Sequence, residues 1–224
     1  MFETAISTAW QALVATQRAC TECRTNCQPS LLDDRARPLF GRFTPWQKGL
    51  LFVFEAPNLE DTTNPAKGYL TYDRVTDPTG RFARTLMTEE LGLDPDFFQV
   101  TNSVLCLPCA RGDKFPVKAG QATRCSSRIR KQIEVLDPVV VVAVGAQALT
   151  SLQRIDKYEF RRLSEAVAVP KKWFGRWLFP VFHTGMLARN ARGGRPEQLQ
   201  RGDWRKLRQF LDSQGVQLPC RVHP

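Results

Sequence analysis

Apolar positions at the start of the chain recur with the spacing of one helix face, and a cluster of cysteines follows at residues 20–27. A repeat of i, i+3, i+4 and i+7 is typical of an amphipathic helix that packs against a core. Residues 28–47 hold three prolines and several charges, so we predict an irregular connection there. The apolar positions of the predicted helix are Phe2, Ala5, Ile6, Ala9, Trp10, Leu13 and Val14.

Short apolar runs then alternate with longer amphipathic stretches. β-Branched and aromatic residues fill the runs, which is typical of strands, whereas the stretches between them have helical spacing. This alternation predicts the α/β class, here a three-layer α/β/α sandwich with a central four-stranded parallel sheet. We expect a single domain over residues 1–224, because no internal repeat or low-complexity tract divides the chain. The predicted strands are 50–54, 98–102, 139–144 and 178–182, and the predicted helices lie near 78–91, 129–136, 146–152 and 204–211.

Polar side chains follow three of the predicted strands at the point where each strand ends. Glu55 and Asn58 follow the first strand, Asn102 ends the second, and His183 follows the fourth. Because ligand sites of parallel sheets lie beyond the carboxyl ends of the strands, we expect these side chains at one sheet edge. A carboxylate, an amide and an imidazole there could orient water, read a base edge and stabilise a developing anion. The alternative is that each is an ordinary turn residue, strand-end amide or buried ring.

Seven cysteines in a chain without a recognisable export signal favour metal binding or catalysis over disulfides. Cys20 and Cys23 have the spacing of metal ligands. Two of Cys106, Cys109 and Cys125 would complete a set of four thiolates. Such a set suits zinc or an iron–sulfur cluster, and the spacing alone leaves both open. The remaining alternative is a group of reduced, inert thiols.

The chain carries a formal net charge of +10, which favours an anionic partner such as nucleic acid. Seven basic residues lie between residues 110 and 132, and seven more between residues 185 and 209. Both stretches follow predicted site loops, where cations could contact the phosphates beside a bound base. For the part after Trp204, a solvated helix face is the alternative.

Composition excludes two other classes of protein. Hydrophobic residues at 42% and charged residues at 24% are incompatible with a disordered chain. No apolar run reaches the ~18–20 residues that a membrane-spanning helix needs. The chain does not open with a basic stretch followed by an apolar core, so no secretory signal is expected. We therefore expect a soluble, cytoplasmic protein without a membrane partner.

Four sequence motifs, taken in order, resemble those of the iron–sulfur branch of the uracil-DNA glycosylase superfamily, close to its family 4 members. The first runs from a strand into an acidic pair, and the second ends a strand in a cysteine. The third joins a helix cysteine to a valine strand, and the fourth surrounds a histidine. The motifs are FEAPNLED at 54–61, TNSVLC at 101–106, the segment from Cys125 to Gly145, and FHTG at 182–185.

The resemblance implies a DNA-repair glycosylase that hydrolyses the N-glycosidic bond of uracil, or of a related deaminated base, in DNA. The protein is expected to act as a monomer. The resemblance also implies a [4Fe-4S] cluster, with Cys109 as the substitute for one ligand, Cys106, and zinc as the second choice of metal. The implied ligands are Cys20, Cys23, Cys106 and Cys125.

The resemblance further implies a role for each residue of the predicted site. Asn102 would hydrogen-bond the pyrimidine edge of a flipped uracil, and Tyr69 would stack on the base. His183 would donate a hydrogen bond to uracil O2 as negative charge gathers there. Glu55, or the main chain beside it, would place the attacking water. The implied substrate-binding residues are Ala56, Asn58, Tyr69 and Asn102.

Three positions differ from the motifs of that family. Phe54 and Asn58 stand where the first motif has glycines, and Thr184 stands where the last has proline. A phenylalanine can narrow the pocket or point elsewhere, and a threonine predicts a looser loop than proline. These differences keep an alternative function open: a catalytically inactive or diverged iron–sulfur protein that binds nucleic acid on the same fold.

Overall fold

The computed structural model describes the chain in segments, and several predicted site residues lie outside them. Cys23, Asn58, Tyr69 and Cys109 are outside, so their roles stay predictions. The described residues are 2–18, 20, 22, 49–57, 78–93, 99–108, 116–160, 162–190 and 192–218.

One mixed sheet of five strands runs through the described part of the chain. The strands are β1 (Leu50–Phe54), β2 (Gln99–Asn102), β3 (Val140–Val144), β4 (Lys171–Trp173) and β5 (Arg176–Val181). Their order in the sheet is β2-β1-β3-β5-β4. The first four in this order pair in parallel, and β4 pairs antiparallel with β5 at the edge. The predicted α/β class is confirmed, but the sheet has five strands rather than the four that the sequence predicts.

The fifth strand has little of the pattern from which a strand can be predicted. β4 is three residues long and only Trp173 in it is buried, so no alternation of apolar and polar positions develops. Phe174 and Gly175 join β4 to β5, and both have positive φ, 47° and 69°. Two successive residues with positive φ form a tight hairpin turn, which reverses the chain and makes the pair antiparallel.

Helices lie between and after the strands. Their bounds are α1 (Phe2–Arg18), α2 (Pro78–Glu89), α3 (Ala119–Leu136), α4 (Ala146–Leu152), α5 (Leu163–Ala166), α6 (Met186–Asn190) and α7 (Glu197–Ser213). The five predicted helices are present, whereas the short α5 and α6 are additions. Across the residues that are described, no helix is long and apolar enough to cross a membrane.

Helices cover both faces of the sheet and bury it in three layers. Leu51 and Val53 of β1 pack with residues of α1, α3 and α4, whereas Phe52 and Phe54 pack with residues of α2 and α7. This division follows from the strand period of two, which sends successive side chains to opposite faces. On the second face the ring of Phe52 stacks on Trp204 at 5.6 Å. Burying one such aromatic side chain contributes about 1.5–3 kcal/mol.

Three buried polar side chains tie α1 and α3 to strand β2. The Thr101 hydroxyl donates to Gln132 Oε1 at 2.6 Å, and Gln132 Nε2 donates to Gln17 Oε1 at 2.9 Å. Gln17 Nε2 then donates to the carbonyl of Arg128 at 3.1 Å. We call Thr101, Gln132 and Gln17 the amide relay. It fixes the end of α1, just before Cys20, relative to the strand that ends in Asn102.

Candidate active site

The carboxyl ends of the parallel strands bring the predicted loops to one edge of the sheet. Phe54, the last residue of β1, pairs in register with Asn102, the last residue of β2. On the other side, the Gly145 N–H after β3 donates to the carbonyl of Val181, the last residue of β5, at 2.8 Å. Glu55, Asn102 and His183 therefore emerge from the same sheet edge. His183 lies beyond β5, three places along the sheet from β2.

The loop after β1 is fixed by the loop after β2. The carbonyl of Glu55 accepts hydrogen bonds from the Val104 N–H at 3.0 Å and from the Ser103 hydroxyl at 2.7 Å. These two bonds set the direction of the backbone through Glu55 and Ala56. Burial raises the pKa of the Glu55 carboxyl above its ordinary value. The site thus contains a positioned carboxylic acid that holds its proton to a higher pH than an exposed one.

Asn102 carries a buried amide whose polar atoms are unsatisfied. Its side chain is 2% exposed, and neither Oδ1 nor Nδ2 has a hydrogen-bond partner among the described residues. Buried amide groups are nearly always hydrogen-bonded, because leaving one unpaired costs about 1–3 kcal/mol. An acceptor and a donor side by side at the sheet edge match a ligand that presents the complementary pair.

His183 has a defined tautomer in this geometry. The N–H of Gly185 donates to His183 Nδ1 at 3.0 Å, so Nδ1 is the acceptor and the neutral ring carries its proton on Nε2. On one side of the ring lies Gly145, where a Cβ would come within 3.1 Å of the His183 Cβ. Gly145 also has φ of +98°, which side chains other than hydrogen rarely tolerate. A glycine at 145 therefore allows the imidazole to sit against β3.

Phe54 packs into the core beside the His183 ring. Its side chain is buried in the core between the sheet and helices α2 and α7, and its ring meets the His183 ring edge-on at 6.5 Å. Of the two expectations for this residue, the one in which it points elsewhere agrees with the structure. The ring supports the imidazole from the core side.

Thr184 binds its loop to helix α2. The residue is fully buried, and its hydroxyl donates to the carbonyl of Thr79 in α2 at 3.1 Å. A hydrogen bond to a helix restrains the loop where a proline ring would otherwise do so. At this position the hydroxyl supplies a tie to α2 that the sequence does not predict.

Most of the basic residues in the 185–209 stretch form ion pairs within the protein, an arrangement that the sequence does not predict. Arg201 binds Glu89 and Glu90 of α2, both at 2.7 Å, and so clamps α7 to α2. Of the described residues in this stretch, Arg192 and Lys206 have no acidic partner. The other paired arginines are Arg189 with Glu197, Arg195 with Asp203, Arg205 with Glu90 and Arg208 with Asp212.

Two exposed apolar side chains directly after the His183 loop are not predicted from the sequence. Met186 is 54% exposed and Leu187 is 79% exposed, at the start of α6. The sequence feature that could have indicated them is an apolar pair after a polar loop, at positions that belong to no amphipathic helix pattern. An apolar tip beside a polar site is a feature of proteins that insert a wedge between stacked bases.

The described cysteines lie on three segments: after α1, in the loop after β2, and on α3. Cys106 and Cys125 are buried, and Cys20 is half-buried. Cys125 on α3 belongs to a small apolar cluster with Val104, and Ala56 packs against that cluster. This predicted metal ligand therefore lies close to the loop after β1. Over the described ranges, no group of three or more His, Cys, Asp or Glu side chains is close enough to hold a metal ion.

Arg128 brings positive charge to two of these cysteines. A hydrogen bond from Arg128 to Glu22 raises the guanidinium pKa, and the nearby Cys20 and Cys125 add to this effect. Cys20 at the end of α1 and Cys125 on α3 therefore face the same cation. A donor set of thiols beside an arginine suits an anionic iron–sulfur cluster, because the arginine offsets part of its negative charge.

Fold and site together define an α/β protein with a polar site at the carboxyl edge of a parallel sheet. Residues 40–208 match the family model of the uracil DNA glycosylase superfamily, and the chain belongs to that family. It is also similar to a type-4 uracil-DNA glycosylase of Thermotoga maritima. The two are 28% identical over 170 residues, which cover 74% of this chain and 79% of the relative. The resemblance predicted from the four motifs is confirmed.

Proposed function

We propose that the protein is a DNA-repair enzyme that hydrolyses the N-glycosidic bond between uracil and deoxyribose. The observation that carries the proposal is the buried amide of Asn102, which has no hydrogen-bond partner among the described residues and lies at the same sheet edge as His183, in a chain of this superfamily. A base can reach such a buried edge only when it leaves the helical stack. Flipping costs a few kcal/mol, and contacts in the site must offset this cost.

Asn102 would select uracil by its hydrogen-bonding pattern. Uracil presents a donor at N3 and an acceptor at O4, which match Asn102 Oδ1 and Nδ2. Cytosine presents an acceptor at N3 and a donor at N4, so the same amide orientation would meet it donor to donor and acceptor to acceptor. A matched bidentate contact is worth about 1–3 kcal/mol of discrimination. The amide is held in place because it ends a strand that pairs in register with β1.

His183 would stabilise the leaving base. When the C1′–N1 bond breaks, its electron pair goes to the base, and negative charge develops on O2. The Nε2–H of His183 would donate to that oxygen, with Nδ1 held by Gly185. Removing one donor of this kind from other enzymes costs about 2.7–4 kcal/mol of transition-state stabilisation.

Water completes the reaction by attacking C1′ and losing a proton to the surroundings. Glu55, or the main chain beside Ala56, would orient this water. Branches of the superfamily that have an aspartate at the position of Ala56 use it to orient this water. With alanine there, we expect catalysis to depend more on stabilising the leaving base than on a strong general base.

The DNA would be held by phosphate contacts and by an apolar tip. Arg192 and Lys206 have no acidic partner among the described residues and are available for phosphates. Leu187 lies four residues after His183 and is 79% exposed. We propose that Leu187 enters the stack where the base has left, which would slow the return of the base.

We further propose that Cys20, Cys23, Cys106 and Cys125 hold a [4Fe-4S] cluster. The type-4 relative and the arrangement of buried thiols beside Arg128 support this choice. When bound, the cluster would link the end of α1, the loop after β2 and helix α3 through their thiolates. Purified protein should be brown, with broad absorbance near ~400 nm; a colourless, zinc-containing protein would favour the second choice of metal.

The proposal is tested with labelled oligonucleotides that contain one uracil, as a single strand and opposite adenine or guanine. Treatment with the protein and then alkali should cleave the strand at the uracil, and His183→Ala should reduce cleavage about 100-fold or more. A thymine-containing strand is the matched control. Salt-dependent binding of all these strands without cleavage would instead support the non-catalytic nucleic-acid-binding protein.

A further inference from the structure

We propose that Thr184 is a positioning residue for His183: its hydroxyl ties the histidine loop to helix α2 and thereby holds the imidazole in one tautomer and orientation. This role rests on the proposed function only for its effect on base release. The geometry itself concerns the loop after β5, residues 182–185, which we call the histidine loop. The hydrogen bond from Thr184 to the Thr79 carbonyl, 3.1 Å long, carries the proposal.

The histidine loop has left the sheet, so it needs anchors other than the strand ladder. β5 ends at Val181, and His183 follows two residues later. The carbonyl of His183 is 3.4 Å from Gln200 Nε2 of α7, a long hydrogen bond whose donor also binds the Arg195 carbonyl at 2.9 Å. The contact of Thr184 with α2 is shorter, and its donor residue is fully buried.

The loop is folded tightly against both the imidazole and α2. A Cβ placed on Gly185 would lie 2.9 Å from His183 Nδ1 and 3.4 Å from the hydroxyl oxygen of Thr79. Gly185, whose N–H donates to Nδ1, therefore has little space between the His183 ring and Thr79. Thr79 is also the residue of α2 to which Thr184 is bound. Any shift of Thr184 away from Thr79 moves the next residue, Gly185, and with it the N–H that fixes the tautomer.

The Gly185 bond and the Thr184 bond consequently act together. With both in place, the lone pair of Nδ1 is engaged and the proton lies on Nε2. Without the hydroxyl of Thr184, the loop can move out from α2 and the 3.0 Å contact at Nδ1 lengthens. The proton is then no longer confined to one nitrogen, and the donor aimed at the base is lost in a fraction of the molecules.

The test compares Thr184→Val, which keeps the shape and removes the hydroxyl, with Thr184→Ser, which keeps the hydroxyl. Thr85→Val is the matched control, because Thr85 lies on the same helix and its hydroxyl binds the Arg81 carbonyl at 3.0 Å. Thr184→Ala serves as a second variant without the hydroxyl. All are made in the full chain as purified with its metal.

The first readout is long-range ¹H–¹⁵N NMR of the imidazoles, which distinguishes the two neutral tautomers. The chain has only two histidines, and His223→Gln assigns the pair. We expect the Nε2–H tautomer at His183 in the unmodified protein, in Thr184→Ser and in Thr85→Val. Thr184→Val and Thr184→Ala should give averaged shifts. An unaltered His183 signal in both of these variants would overturn the proposal, as would a serine variant that behaves like valine.

The second readout separates positioning from DNA binding. In single-turnover excision of uracil, Thr184→Val should slow release about tenfold, as expected for a misplaced catalytic group, and leave the affinity for the strand unchanged. A loss of affinity with an unchanged rate would overturn the proposal. The tautomer can be read even if no base is released, so an inactive parent protein would contradict the proposed function alone.

Discussion

The proposed chemistry depends on which atom of each side chain is already engaged. His183 is useful as a donor because Gly185 occupies Nδ1 and leaves the proton on Nε2. Asn102 is useful because neither of its polar atoms is satisfied by the described residues. Glu55 is held through its carbonyl by Ser103 and Val104, and burial raises the pKa of its carboxyl. Each role therefore rests on one or two hydrogen bonds.

Replacing Asn102 with aspartate should lower uracil excision. A carboxylate cannot donate to uracil O4, and it introduces a buried charge without a partner. We expect the single-turnover rate to fall about 10- to 100-fold, which corresponds to the worth of one bidentate contact. Gln214→Glu, at an exposed position after α7, is the control for an amide-to-acid change. Equal rates for Asn102→Asp and the parent protein would contradict the role.

Glu55 should make stability depend on pH with a defined sign. Its folded pKa is raised, so the folded protein disfavours the charged form. The resulting cost in folding free energy is present above the raised folded pKa and vanishes as pH falls below the ordinary value of 4.5. Glu55→Gln should therefore raise the free energy of unfolding at pH ~8, and the gain should shrink toward pH ~5.

Urea denaturation across this pH range checks the prediction for Glu55. Glu159→Gln is the control of opposite sign, because a hydrogen bond from Lys171 lowers the pKa of that exposed carboxyl. Replacing Glu159 should bring no gain in stability at high pH. A Glu55→Gln variant whose stability parallels that of the parent at every pH would contradict the assignment of a buried carboxyl.

The sequence could predict which residues lie at the carboxyl edge of the sheet but not how they are held there. Glu55, Asn102 and His183 follow from strand ends and motif order, because parallel strands share one carboxyl edge. The pairing of Thr184 with Thr79 could not be predicted, since the two are 105 residues apart and neither belongs to a periodic pattern. The packing of Phe54 into the core likewise depends on the face that β1 presents to α2 and α7.

At the scale of elements, helix α1 is docked by polar as well as apolar contacts. Its apolar stripe was predictable from spacing, and Trp10 and Leu13 do pack in the core. The amide relay was not predictable, because glutamines are ordinarily taken for exposed positions. Gln17 and Gln132 become compatible with burial only when each satisfies the other.

Removing one member of the amide relay should therefore destabilise the protein strongly. Gln132→Ala leaves buried polar atoms on Thr101 and Gln17 without their partner, and we expect a loss of about 2–4 kcal/mol in the free energy of unfolding. Gln198→Ala, on the exposed face of α7, is the control. In a double-mutant cycle with Gln17→Ala, the loss in the double variant should be smaller than the sum of the two single losses by about 0.5–3 kcal/mol. Strictly additive losses would show that the relay does not act as a unit.

Short elements are where sequence patterns carried least information. Strand β4 has three residues and helices α5 and α6 have four and five, too few for a period to appear. The order of the strands in the sheet also depends on pairings between distant segments. By contrast, β1 and α4 begin and end at the predicted residues, since apolar runs bounded by loop residues define them.

At the scale of the whole molecule, the net charge of +10 does not show which basic residues are available to bind DNA. Some of them form ion pairs within the protein instead. In the basic stretch after His183, Arg195 pairs the segment before α7 with Asp203 of α7, and Arg201 pairs α7 with α2. Burial of the Asp203 carboxylate, which accepts two hydrogen bonds from Arg195, makes that pair a structural one. Net charge alone therefore overstates the number of cations that meet DNA.

The salt dependence of DNA binding should reveal this division. Arg192→Ala should reduce the slope of log affinity against log salt by about 0.9, the contribution of one phosphate contact. Arg201→Ala should leave that slope unchanged and instead lower the free energy of unfolding, because it breaks the link between α2 and α7. Fluorescence anisotropy with a uracil-free duplex measures both slopes. A larger slope change for Arg201 than for Arg192 would contradict the assignment.

The central claim is tested most directly by measuring free uracil itself. The purified protein is incubated with an excess of uracil-containing DNA, single- and double-stranded, and the released base is quantified by mass spectrometry. The account predicts several moles of uracil per mole of protein, at least a ~100-fold loss of rate in His183→Ala, and no release of cytosine or thymine. DNA that is bound but yields no free base with any of these strands would contradict it.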